Sequence, residues 1–153
     1  MKYQHILLVT DLRPDADRVA QKAKQIAQNH NAKLSVLHIV KDTMVGFGYE
    51  MVPASALYEN VNQDRCNNAQ QQLADMLERS GINATHADVS TAISSSEGIV
   101  HYCAKHEVDL LVIGRHERHG ISAWINGATV DGILPNIHCD CLVVKLGSPR
   151  AKK

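Results

Sequence analysis

A chain of 153 residues is long enough to bury the core of one domain and too short for two domains of ordinary size. Apolar residues make up 44% and charged residues 21%, which excludes a disordered or fibrous chain, while 4% aromatics leave the core to Leu, Ile, Val and Ala. Lys and Arg number 16 against 16 Asp and Glu, so there is no basic footprint for nucleic acid or an anionic membrane.

The start, MKYQHILLVTD, is apolar for too few residues to be a secretory signal, and no run is long enough to span a bilayer. A cytoplasmic location is therefore expected. His5–Thr10 (HILLVT) reads as a buried parallel strand ending at Asp11. Asp15–Asn29 carries Val19, Ala20, Ala23, Ile26 and Ala27 at helical spacing, with acids at its start to match the helix dipole. Leu34–Val40 (LSVLHIV) reads as a second strand. Met44–Pro53 is a loop rich in apolar residues, read as a lid over the cleft or packing on the sheet edge. A long helix follows on the stripe Leu57, Val61, Cys66, Ala69, Leu73, Met76 and Leu77, and Ser80-Gly81 stops it.

Ala84–Val89 alternates as a weaker third strand. Ser96–Glu107 predicts a helix, with Ser96 as N-cap and Glu97 as a first-turn acid. Asp109–Ile113 (DLLVI) is a fourth strand, and the glycine-bearing stretch Gly114–Thr129 reads as a loop. A helix over Ile125–Leu134 and a last strand, Cys141–Leu146, complete the chain. Residues 1–147 thus form one domain, and 148–153, with Arg150, Lys152 and Lys153, form a short basic tail.

Strands alternating with helices predict an α/β fold: a five-stranded, mostly parallel sheet with helices on both faces, joined by right-handed crossovers. In such sheets ligands bind beyond the carboxyl ends of the strands, where strand order reverses. The segments after Thr10, Ile39 and Ile113 therefore matter most. Asp11 reads equally well as an acid capping the following turn or as a ligand contact. His38, inside a strand, reads as a hydrogen-bonded core histidine, and His116 and His119 as exposed loop histidines. Cys103, Cys139 and Cys141 fall in core segments as small hydrophobes. No spacing matches a structural metal site, and there is no nucleophile elbow for acyl transfer. A receiver domain would need an acidic pair after the first strand and an aspartate after the third; Thr10-Asp11-Leu12 and Val89-Ser90-Thr91 supply neither.

With HILLVTD at the start, LSVLHIV in the second strand, DLLVIGRH before the loop and CLVVKL at the end, the chain resembles the universal stress proteins from end to end. That resemblance implies a three-layer, Rossmann-like fold of the adenine-nucleotide alpha-hydrolase type. It also implies a site in which Thr10 and Asp11 contact the nucleotide, Ile39 holds adenine through its backbone, and Gly114, Arg115, His116, Gly127, Ala128 and Thr129 face the phosphates. ATP-binding members space three glycines so that the second would stand at Glu117 and a Ser or Thr at Ala128.

Glu117 places a carboxylate where phosphate charge would sit, a repulsion of about 1–4 kcal/mol in a partly wet site. Ala128 lacks a hydroxyl worth roughly 1 kcal/mol to a phosphate oxygen. Arg115, Arg118, His116 and His119 act in the opposite sense, and Gly120 offers an alternative tight turn. The resemblance therefore implies a non-enzymatic stress-response regulator or adaptor with weak or absent ATP binding and a regulatory protein partner. It also implies a homodimer formed through the last strand, Leu142 to Leu146. An ATP- or AMP-binding switch or slow ATP hydrolase, with autophosphorylation, is the second reading. A small-molecule carrier using the same cleft is the third.

Overall fold

The computed structural model describes residues 2–41, 55–116 and 127–146, the side chains of 55–62 and 127–128 excepted. Met44–Pro53, Glu117, Arg118, His119, Gly120 and the basic tail lie outside the described residues.

Five strands and four helices alternate: β1 (His5–Val9), α1 (Ala16–His30), β2 (Lys33–Lys41), α2 (Ser55–Ser80), β3 (His86–Ala92), α3 (Ser95–Lys105), β4 (Leu110–His116), α4 (Gly127–Ile133) and β5 (Asp140–Leu146). The sheet is parallel throughout, with strand order β3-β2-β1-β4-β5. The chain first steps outward from β1 to β3, then returns across the sheet to β4. The reversal falls between β1 and β4, and right-handed crossovers consequently put successive helix pairs on opposite faces.

Side-chain alternation along the strands builds the two cores. Ile6, Leu8, Leu34, Val36, Leu110 and Val112 pack beneath Val19, Ala20 and Ala23 of α1 and Leu73 and Met76 of α2. Leu7, Val9, Leu37, Ile39, Leu111 and Ile113 pack beneath Ile99, Tyr102 and Cys103 of α3 and Ile133 of α4. β1 is buried along its whole length. The near-continuous apolar runs in β1, β2 and β4 are what two covered faces require.

Several boundaries differ from those the sequence suggests. β3 runs from His86 to Ala92, later than Ala84–Val89, because its ladder with β2 runs from Ser35↔His86 to Lys41↔Ala92. It is an edge strand of half-buried and exposed residues, so hydrophobic periodicity locates it poorly. The cap of α3 is Ser94, not Ser96: Ser94 Oγ accepts the Glu97 N–H at 3.2 Å. Three consecutive serines are equivalent in sequence; the point where the chain leaves β3 selects among them.

β4 continues past Ile113 through Gly114, Arg115 and His116, which pair with Val144, Lys145 and Leu146 of β5. Gly114 is thus a strand residue, not the start of a loop. A Cβ there would stand 2.6 Å from Leu146 Cδ1 and 2.9 Å from Val19 Cγ2. Glycine lets α1 and the end of β5 close on β4. We expect Gly114→Ala to destabilise the fold by about 1–3 kcal/mol through overpacking, measured as a lowered urea midpoint at unchanged slope. An unchanged midpoint would show that Leu146 and Val19 yield freely.

Candidate functional site

Beyond the carboxyl ends of β1 and β4 the chain must turn out of a buried strand, and the residues there are polar. Thr10 still belongs to the sheet, its N–H donating to Leu37 O at 3.0 Å. Its hydroxyl accepts the Leu12 N–H at 3.0 Å, and Asp11 Oδ1 accepts the Arg13 N–H at 3.1 Å. These two side-chain-to-backbone bonds hold a tight turn in which Leu12 has a φ of 64°. A left-handed conformation costs a non-glycine residue about 1–2 kcal/mol, so the turn is fixed by its hydrogen bonds.

The other oxygen of Asp11 faces β4. His116 Nε2 lies 3.0 Å from Asp11 Oδ2, with side chains 9% and 2% exposed. The second ring nitrogen, Nδ1, lies 3.5 Å from Oδ2 of Asp15, which stands just before α1. An acid-imidazole-acid bridge therefore spans the reversal point. Both oxygens of Asp11 are engaged within the protein, one by the turn and one by His116. His116 is buried at the end of a strand, contrary to its reading as an exposed loop residue. The two extra rungs of β4 beyond Gly114 carry it there.

On the β2 side, His38 Nδ1 donates to Thr10 O at 2.8 Å in a buried setting, the core histidine its position in the strand suggests. A cavity of ≈ 370 Å³ opens beside it, lined by Asp11, His38, Val40, Lys41, Arg65 and Gln72 among others. Arg65 Nη1 reaches across to Lys41 O at 3.0 Å. Ile39 lies at this cavity too, but its side chain is buried in the core and reaches toward Gly98 of α3. A ligand would therefore meet its backbone.

Of the residues picked from sequence, the fold brings Thr10, Asp11 and His116 together. Gly114 serves packing, and strand alternation turns Arg115 to the face opposite His116. The Gly127 and Ala128 backbones open α4, and Thr129 is half-buried within it. Asp15 and Arg65 belong to the site and carry no sequence signal of it. Asp15, four residues after Asp11, reads as an ordinary helix-start acid, and Arg65 is one polar residue among many in α2.

Among the described residues, Asp11, Asp15 and His116 are the group whose ligand atoms lie close enough together, within 4.8 Å, to share a cation. Two carboxylates and an imidazole suit a divalent ion. Such an ion would have to replace the His116–Asp11 hydrogen bond. Sequence spacing alone suggested no metal site, because the three residues come from separate segments.

Burial holds the His38 imidazole below its ordinary 6.5, outweighing the Thr10 carbonyl and the Asp11 carboxylate, which act upward. The unfolded chain therefore binds the proton more readily. This contribution to stability is complete above about pH 6.5 and is lost as pH falls toward the lowered native value. Burial lowers His5 as well. Urea unfolding at about pH 7.5 and about pH 5.5 should show a smaller acid-induced loss for His38→Asn than for the parent, His5 accounting for part of the remainder. Equal losses would contradict the assignment.

Residues 2–145 match the model of the universal stress protein family. Universal stress protein A homolog 1 of Coxiella burnetii is 27% identical over 145 residues, covering 94% of this chain and 97% of that protein. The structure of UspA from Lactobacillus plantarum superposes with a TM-score of 0.68 at 24% identity, over 94% of this chain and 99% of that one. A universal stress protein in complex with cAMP matches at TM-score 0.60 and 20% identity, over 95% and 98% of the two chains.

Proposed function

The chain belongs to the universal stress protein family, and from that premise we propose a cytoplasmic stress-response adaptor whose nucleotide crevice is closed by its own side chains and binds ATP weakly or not at all. The observation that carries this reading is the His116–Asp11 contact at 3.0 Å with Asp15 behind it. In a fold of this kind a phosphate chain would lie beyond the ends of β1 and β4. Here two carboxylates flank that place, and each Asp11 oxygen already holds a hydrogen bond within the protein. Glu117 adds a third carboxylate in the following segment, and Ala128 withholds a hydroxyl. No helix among the described residues is long and apolar enough to cross a membrane, and the four cysteines are free, as a reducing compartment would keep them.

Calorimetric titration with ATP and magnesium should give a Kd above roughly 100 µM. Low-micromolar binding would overturn the reading. The double variant Glu117→Gly, Ala128→Ser removes a repulsion and supplies a donor, so its affinity should rise by about tenfold or more.

One observation favours a nucleotide switch instead: the ≈ 370 Å³ cavity beside the backbone of Ile39 and Lys41 has the character of a base-binding recess. On that reading a ligand with little phosphate, such as AMP, cyclic nucleotide or another small molecule carried in the cleft, would co-purify. Mass spectrometry of the denatured, as-purified protein separates the readings, the adaptor reading requiring no stoichiometric ligand.

We further propose a homodimer built through β5. That strand pairs with β4 on one side alone among the described residues, and Cys141, Leu142 and Val143 are only half-buried in the single chain. Pairing across a two-fold axis removes such an open edge. Light scattering should give twice the chain mass; a monomer at micromolar concentration would refute the interface.

A further inference from the structure

The imidazole of His116 lies between two carboxylates, and a neutral imidazole has one N–H to give. Nε2 stands 3.0 Å from Asp11 Oδ2 in a buried hydrogen bond. A carboxylate can only accept, so Nε2 carries the proton. Nδ1 then turns a lone pair toward Asp15 Oδ2 at 3.5 Å, longer than an ordinary N–H···O bond. Two electron-rich atoms thus face each other where strand order reverses, and what stands between them has to be positive: a proton or a metal ion. Asp15 does not spend its carboxylate on its own helix. It holds the N-cap position of α1 and makes no side-chain cap hydrogen bond. Its side chain is 48% exposed, so an ion can approach it from solvent without opening the crevice.

We propose that His116 Nδ1 and Asp15 bind a divalent transition-metal ion of the zinc type, with Asp11 orienting the imidazole from behind. The 3.5 Å separation decides between the two kinds of positive group. A proton shared between an imidazolium and a carboxylate draws the heavy atoms to about 2.7–2.9 Å. Metal bonds of about 2.0–2.2 Å to nitrogen and oxygen, set at a tetrahedral angle, leave the two ligand atoms about 3.3–3.5 Å apart. Imidazole nitrogen suits zinc, cobalt or nickel, whereas calcium and magnesium ask for oxygen throughout.

The hydrogen bond to Asp11 is the support such a ligand requires. A metal-bound histidine gives its other N–H to a carboxylate in most sites, which fixes the tautomer and makes the ring more basic. An ion bound to all three residues would break the His116–Asp11 bond. One seated on Nδ1 and Asp15 keeps it, and keeps with it the turn that Asp11 holds. Water completes the coordination on the side where Asp15 is exposed. The positive end of the α1 dipole opposes the ion with about half an elementary charge, against the two full charges of Asp11 and Asp15.

The ion ties the end of β4 to the start of α1 across the reversal point. The carboxylates that repel a phosphate chain attract a cation, so the place takes a ligand of the opposite sign. The ion depends on the acid-imidazole-acid bridge alone and not on how ATP binds, so a metal titration without nucleotide and an ATP titration can fail separately.

The test titrates the isotope-labelled, nucleotide-free chain with zinc chloride at neutral pH and follows the imidazole nitrogens by NMR, each ring assigned through its own backbone. On saturation Nδ1 of His116 should move to a metal-bound position while Nε2 keeps its proton. Asp15→Asn removes a ligand at an exposed position, so the fold should stand and zinc affinity at His116 should fall at least about tenfold. Asp11→Asn, which alters the orienting group, should cost about 10–100-fold. The titration of the unsubstituted chain does not depend on any variant folding. Zinc taken up only by other histidines or by the thiols would overturn the proposal. So would a His116 Nδ1 that already carries a proton and ignores zinc, or an Asp15→Asn chain that binds at His116 as tightly as the parent.

Discussion

β1 is paired on both edges and covered on both faces, so its polar chemistry is confined to its ends. Residues 6 to 8 have no exposure at all. At the amino end, Asp109 accepts the N–H groups of Gln4 and His5 at 2.8 and 3.0 Å, and His5 reaches Ser35 Oγ at 2.7 Å. At the carboxyl end, Thr10 and Asp11 emerge at the place where strand order reverses. Helices leave in opposite directions there, so among the described residues no crossover covers the gap between β1 and β4. The crevice is a consequence of connectivity, and its polar lining a consequence of burial just upstream.

The contacts that Asp11 makes there are internal. A carboxylate in a site nearly closed to water needs partners, because unpaired buried charge is costly. Asp11 finds them in the Arg13 N–H and the His116 ring. The same bonds hold Leu12 in a left-handed conformation. Turn, acid and imidazole thus support one another, and a ligand that recruited Asp11 would disturb all three.

The two faces of the sheet are chemically different. The α1 and α2 face is mostly aliphatic, and a Cβ at Gly114 there would press on Val19 of α1 and Leu146 of β5. The α3 and α4 face includes an aromatic and three thiols. There Tyr102 donates to Asp88 at 2.6 Å and stacks on His106 with centroids 4.0 Å apart. Close approach recurs on this face at Gly98 against Ile39 and at Gly132 against Ser96. The thiols gather where α3 and the start of β5 pack on this face.

The sequence by itself determined the architecture. Apolar runs in β1, β2 and β4 are long and unbroken because both faces are covered, and the helices between them carry their stripes plainly. The pairing role of Asp11 in its turn and the core role of His38 were likewise legible, since both depend on neighbours a few residues away or on strand burial. Edge strand β3 and the cap at Ser94 were not, because half-buried alternation and a run of serines leave several registers equivalent locally. Only the tertiary structure decided that Gly114 is a packing residue and that His116 is buried on Asp11. The partners lie between 32 and 105 residues apart in the numbering and come from different elements. Local pattern reports which face a residue takes; which residue waits on the other side is fixed by strand order and register.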